Sequence, residues 1–212
     1  MKSIAFPILF LLVLVSCTNK KEKEPAEKEP VPGTKDTMVA LRPENNVNPY
    51  AQVDVSPMDM SYYPADYPKL KMAKATTAPP LARVIYSRPH LQGRQLFHDV
   101  LKYGEPWRLG ANESTELDLY TDATIQGQKI KAGRYILYCI PQQDTWNIVL
   151  NGNIDTWGLQ PDPSQDIAHF TVPVNTRANS LEFFTIVFLQ THSGAELVMA
   201  WDNVEAKLPI SF

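Results

Sequence analysis

Between Tyr103 and Glu116 the chain reads YGEPWRLGANESTE, which crowds aromatic, guanidinium, amide and carboxylate groups into a turn-forming stretch just before a strand-like run. Loops at the entrances of strands are where rigid β-scaffolds usually build sites. Trp107, Arg108, Asn112 and Glu113 are its candidate ligand contacts. Arg88 and Arg94 sit in comparable settings, in SRP and QGR. Three guanidiniums brought together would suit a carboxylate, phosphate or sulfate, because each offers a planar fork for two oxygens. The alternative is that they pair with Asp99, Glu105, Glu113 or Glu116 and pin loops. A second chemistry is carried by Trp107, Trp157, Asn112 and Tyr103: rings stack on the apolar faces of sugars while amides and carboxylates take hydroxyls. The competing role for these tryptophans is to seal the ends of the domain. Trp146 and Trp201 lie within apolar strand-like runs and belong to the core.

Catalysis would need an acid and a base. Glu113 and Glu116 are three apart, which on a strand points them to opposite faces, an objection that lapses if Glu113 lies in the preceding turn. Glu113 with Asp99 or Asp155 could do glycosidase-type work at a suitable separation. No nucleophile elbow, HExxH or phosphate-binding loop is present. His90, His98, His169 and His192 are scattered without ligand spacing, so no metal site is expected and no cofactor is implied. His98 and Asp99 are neighbours, which on a strand rarely lets two side chains share a ligand.

The elements that must hold these residues follow from patterning. The chain has 212 residues, with 44% hydrophobic and 10% aromatic content, enough for one substantial core. A net charge of −3 gives no electrostatic reason to expect nucleic acid. Residues 1–16 read as a signal segment: Lys2, then an apolar run from Ile4 to Val15 too short to span a bilayer. Leu14-Val15-Ser16-Cys17 resembles the lipobox of bacterial lipoproteins, which implies lipidation of Cys17 and a membrane partner through that anchor. Thr18 after the cysteine points to the outer membrane of a bacterial envelope. With Cys17 lipidated, Cys139 is unpaired, and its place in RYILYCI makes it a buried small hydrophobe.

Residues 17–53 form the anchor and a tether expected to stay disordered. From Thr18 to Val53 it carries six basic and six acidic side chains and little to bury. Residues 54–80, with Tyr62, Tyr63 and Tyr67 among many prolines, predict an extended arm laid on the domain, the prolines arguing against a helix. Residues 81–212 predict the folded domain. LARVIYSR, TELDLYTD, RYILYCI, TWNIVLN, IAHFTVPV, LEFFTIVF, AELVMAWD and VEAKLPISF are short runs rich in Val, Ile, Thr and aromatics, separated by turn residues. Leu117 and Leu119 alternate with Glu116 and Asp118. Val204, Ala206, Leu208, Ile210 and Phe212 alternate with Glu205, Lys207 and Ser211. The fold expected is an all-β antiparallel sandwich of about eight or nine strands.

VSPMDMSYYPADYP, IYSRPHLQGRQLF, the block from Tyr103 to Pro141, WNIVLNGNIDTWG and AWDNVEAKLPISF together resemble a bacterial family of exported proteins catalogued as domain of unknown function 2911. The resemblance runs from about Asp54 to Phe212. It implies an all-β domain and brings no established activity. The stretch from Gly158 to His169 departs from the family pattern. Residues and resemblance together point to an envelope β-sandwich binding a polar, carbohydrate-like or anionic ligand. Two other functions are open: a glycan-acting hydrolase using Glu113, and a structural subunit of an outer-membrane complex docking through its tyrosine-rich arm.

Overall fold

The computed structural model describes residues 54–212. The expected signal segment, the expected lipidation site Cys17 and the expected tether lie outside them. Nine antiparallel strands follow in chain order: β1 (Met58–Tyr63), β2 (Ala82–Ser87), β3 (Thr115–Leu119), β4 (Ala123–Ile125), β5 (Gln128–Ile130), β6 (Gly133–Pro141), β7 (Thr145–Asn151), β8 (Asp166–Thr191) and β9 (Gly194–Ser211). They are hydrogen-bonded in the order β1-β2-β3-β6-β7-β8-β9-β4-β5. β8 changes partners along its length, pairing with β7 up to Pro173 and with β9 from Val174. The sheet therefore folds over at β8, as strands do when they switch between packed layers.

One core lies between the layers. Leu117, Leu119, Leu137, Cys139, Ile148 and Leu150 meet Phe184, Ile186, Leu197, Met199 and Trp201, all of them buried. Tyr86 packs edge-on against Phe184 across the gap, with ring centres 5.8 Å apart. Side chains one residue out of phase face away, which is why β3 alternates buried leucines with the partly exposed Glu116 and Asp118. β6 is different, being buried from Ile136 through Cys139. On its outward face Tyr138 donates to the Asp166 carboxylate at 2.9 Å, and Asn151 donates to the same group at 2.8 Å. Cys139 is fully enclosed, and burial pushes its thiol pKa well up. A thiol so placed is a poor nucleophile.

The expected runs regroup in an instructive way. IAHFTVPV and LEFFTIVF become the single strand β8, and AELVMAWD and VEAKLPISF become β9. Irregular register around Thr176, Leu181 and Thr185 lets these long strands bend without ending. The count reaches nine through β1 and the short β4–β5 hairpin, whose three-residue strands carry too little alternation to be seen in sequence.

The arm is more structured than an extended segment. β1 adds to the edge of β2 over six residue pairs. Tyr63 is buried, its ring stacks on Phe212, and its hydroxyl donates to the Gly194 carbonyl at 2.7 Å. Tyr67–Met72 then forms a short helix, α1, contrary to the expectation that prolines would forbid one. The reason is position: Pro68 falls in the first turn, where a missing N–H costs nothing.

Candidate functional site

The long connection from β2 to β3 builds the site by borrowing edges of distant strands. After β2, Pro89 and Leu91 run beside β8: Phe184 N–H donates to the Pro89 carbonyl at 2.9 Å and Leu91 N–H to Glu182 at 3.0 Å. A π-helical turn follows at Leu96–Val100. The chain then takes the part of β6 beyond its pairing with β3, where Trp107 and Cys139 exchange two backbone hydrogen bonds of 2.7 Å. This contact turns the Trp107 ring inward. It lies edge-on to Trp146 at 5.8 Å and Phe184 at 4.8 Å, and is stacked on Trp201 at 5.8 Å. Its indole N–H donates to the Gly110 carbonyl at 3.1 Å.

Beyond Trp107 the chain reverses sharply. Leu109 and Asn112 both take left-handed backbone conformations, with φ of 53° and 60°. Asn tolerates that region, whereas a leucine does not without support. Leu109 is fully buried, and its carbonyl accepts a 2.6 Å bond from the Thr115 hydroxyl, so packing and a hydrogen bond hold a conformation that the residue alone would leave.

Under this turn lies a cavity of about 450 Å³, within the range of small-molecule sites. Its walls are largely apolar, with Trp107, Trp201, Leu101, Val55 and Leu159 among them, and Arg94 and Arg108 bring positive charge. Among the described residues no aspartate or glutamate lines it. Arg108 Nη1 donates to the Asn112 carbonyl at 2.6 Å and to the Trp157 carbonyl at 3.0 Å. Burial lowers its pKa, with no acidic neighbour acting the other way; an arginine nonetheless stays charged. Arg94 is likewise held by carbonyls, donating from Nε to Leu91 at 2.8 Å and from Nη2 to His90 at 2.7 Å. Both guanidiniums are thus positioned by dipoles and not neutralised by a contacting carboxylate among the described residues.

Asn112 stands at the rim. Its side-chain amide donates to the Asp54 carboxylate and to the Ser56 carbonyl, the latter at 3.2 Å. That strap brings Val55 and Ser56 into the cavity wall. Arg88 points elsewhere: it pairs with Asp59 at 3.3 Å, donates to the Phe184 carbonyl at 3.2 Å, and lies over the Phe183 ring. It joins the arm to β8 and is not in the cavity.

A second depression of about 290 Å³ adjoins the first and contains Glu113, Glu116, Arg134, Asp155 and Trp157. Arg134 grips the Glu116 carboxylate through two bonds of 2.7 Å and reaches Asp155 at 3.2 Å. Glu116 beside it drives the Arg134 pKa up. Trp157 is 58% exposed, whereas the other three tryptophans are at most 8% exposed. The wall between the two depressions is Trp157-Gly158-Leu159, thin because Gly158 lies against Arg108 and Ser114 where a Cβ would collide with the serine hydroxyl.

The structure therefore brings Arg94, Trp107 and Arg108 together, keeps Asn112 at their edge, puts Glu113 and Trp157 next door, and separates Arg88. Asp99 sits on the π-helical turn. Its carboxylate accepts from Gln95 N–H at 2.8 Å and contacts His98 Nδ1 at 2.6 Å, and these bonds, with Arg94 nearby, hold its pKa below the ordinary value. Glu113 lines the second depression, and Asp99 lines neither it nor the cavity. Asp155 shares the depression with Glu113 but is engaged by Arg134. Among the described residues no group of three or more His, Cys, Asp or Glu side chains could hold a metal, and no helix is long and apolar enough to cross a membrane.

Sequence reasoning missed Val55, Leu159 and Trp201 as cavity walls. The only signal for Leu159 was its place two residues after an exposed tryptophan, across a glycine. Nothing in the sequence linked residue 55 to residue 112.

What fold and site define is an antiparallel β protein with a cation-lined cavity at the turn between β2 and β3. The chain matches the family model described as protein of unknown function (DUF2911) over residues 69–210, and it belongs to that family. The match starts inside α1, so β1 and the strap at residues 54–56 fall outside it. No curated protein and no solved structure matches the chain.

Proposed function

We propose that the cavity between Arg94 and Arg108 binds a small anionic ligand, a carboxylate, phosphate or sulfate with an apolar flank. The observation that carries this is the pair of arginines in a largely apolar wall to which no described residue contributes a carboxylate. Arg108 waits there partly desolvated, where an incoming anion gains more than it would in water, while Arg94 adds its charge from the exposed side. The trapped turn at Leu109 and Asn112 keeps the guanidinium of Arg108 in place before the ligand arrives, which reduces the ordering cost of binding. The protein would act as a binding module of the bacterial envelope, carried at the outer membrane by a lipid on Cys17. The Leu14–Cys17 sequence supports that part.

The test is a thermal-shift screen of the full chain against glucuronate, benzoate, inorganic phosphate and sulfate, with neutral glucose and benzyl alcohol as controls. A ligand that binds the native state raises the melting temperature by mass action. At least one anion should do so, and the double variant Arg94→Gln/Arg108→Gln should not respond. Equal response to an anion and its neutral analogue, or no response at millimolar concentration, refutes the proposal.

A further inference from the structure

We infer that the cavity and the depression beside it are two subsites for one ligand, an oligosaccharide in which an acidic unit is followed by a neutral one. This rests on the cavity binding an anion and goes on to name the ligand class. The depression offers what a sugar ring needs. The indole of Trp157 is the one tryptophan ring left exposed, and it stands among the carboxylates of Glu113 and Asp155. An aromatic face takes the C–H face of a pyranose, and carboxylates accept from its hydroxyls.

Charge decides which unit goes where. Among the described residues the cavity holds Arg94 and Arg108 and no carboxylate. Among the described residues the depression holds three carboxylates, Glu113, Glu116 and Asp155, against the single guanidinium of Arg134. An anionic unit is attracted to the first and repelled by the second, so the unit over Trp157 must be uncharged. The subsites are joined through one short piece of backbone. The Trp157 carbonyl accepts from Arg108 at 3.0 Å, so the side chain that faces a neutral sugar and the guanidinium that faces an acid hang on the same bond. Gly158 keeps the partition thin, since a side chain there would strike Ser114 and crowd Arg108.

Calorimetric titration of the full chain tests this with three probes: glucuronic acid, a hyaluronan tetrasaccharide of alternating glucuronate and N-acetylglucosamine, and trigalacturonic acid, which is acidic throughout. The tetrasaccharide should bind at least tenfold more tightly than glucuronic acid, and trigalacturonic acid no more than a few-fold. Trp157→Ala should bring the affinity for the tetrasaccharide down to that for glucuronic acid measured on the same variant. Arg108→Gln should weaken both. Equal affinity for monomer and tetrasaccharide, an advantage that survives Trp157→Ala, or trigalacturonic acid matching the tetrasaccharide overturns the two-subsite inference while leaving anion binding intact. Failure of glucuronic acid, benzoate, phosphate and sulfate alike to bind removes both.

Discussion

Replacing Arg108 with alanine separates a binding residue from a structural staple, and the structure sets the size of the effect. A hydrogen bond from a charged donor contributes roughly 1.5–3 kcal/mol, and Arg108 makes two, to the carbonyls of Asn112 and Trp157. Neither loss is felt in full. Trp157 is exposed and Asn112 partly so, so water can reach their carbonyls once the guanidinium is gone. Truncation also relieves the desolvation of a charge that has no carboxylate partner among the described residues. The net loss should be about 1–2 kcal/mol, short of the roughly 3–5 kcal/mol expected when a buried ion pair is broken. Ligand changes the comparison. An anion at a hundred times its Kd should stabilise the wild type by about 2.7 kcal/mol, and this gain should vanish in Arg108→Ala. The assay is urea denaturation of both proteins with and without the tightest anion from the thermal screen. A ligand-free loss of 3 kcal/mol or more, or an undiminished anion-dependent gain, would refute the reasoning.

Gly158→Ala should lose at least about 1–2 kcal/mol from its left-handed backbone alone, with more from the collision with Ser114, as urea denaturation would show. Deleting residues 54–63 removes the β2 edge partner and the buried Tyr63, and should lower the melting temperature by at least about 4 °C; tolerance of the deletion would make the arm dispensable. Burial raises the Glu205 pKa, but Lys207 at 3.2 Å and Arg177 at 2.6 Å outweigh it and leave the carboxyl below its ordinary value. A depressed carboxyl stabilises the fold above its unfolded pKa and loses that contribution as pH falls through its folded pKa. Acid titration of stability should therefore be shallower in Glu205→Gln below the ordinary carboxylate range, and identical slopes would count against the pairing. Cys17→Ser should abolish partition into the detergent phase; a variant that still partitions at normal processed size would exclude the lipid anchor.

Much of the architecture was legible because strand patterning is local. The buried leucines of β3, the alternation from Val204 to Ile210, the two-faced burial of β6 and the core placement of Trp146 and Trp201 all follow from residue types spaced two apart. A period of two records which face a residue takes but not which strand it meets. It could not show that β8 bends through two layers without ending, or that three-residue β4 and β5 close an edge. The site was half legible for the same reason. YGEPWRLGANESTE announced a turn dense in functional groups, and composition alone marked its arginines, amide and tryptophan. Arg88 and Arg94 look alike in sequence, yet Arg88 meets Asp59 on the arm and Arg94 lines the cavity, a difference set by which distant backbone runs beside the loop. Trp107 could be a sugar platform or a core ring until its backbone pairing with Cys139 turned it inward. Local chemistry determined the kinds of groups present and the faces they take. Long-range strand pairing decided which of them share a cavity, because a charge is defined by its neighbours, and those neighbours come from residues 55, 158 and 201.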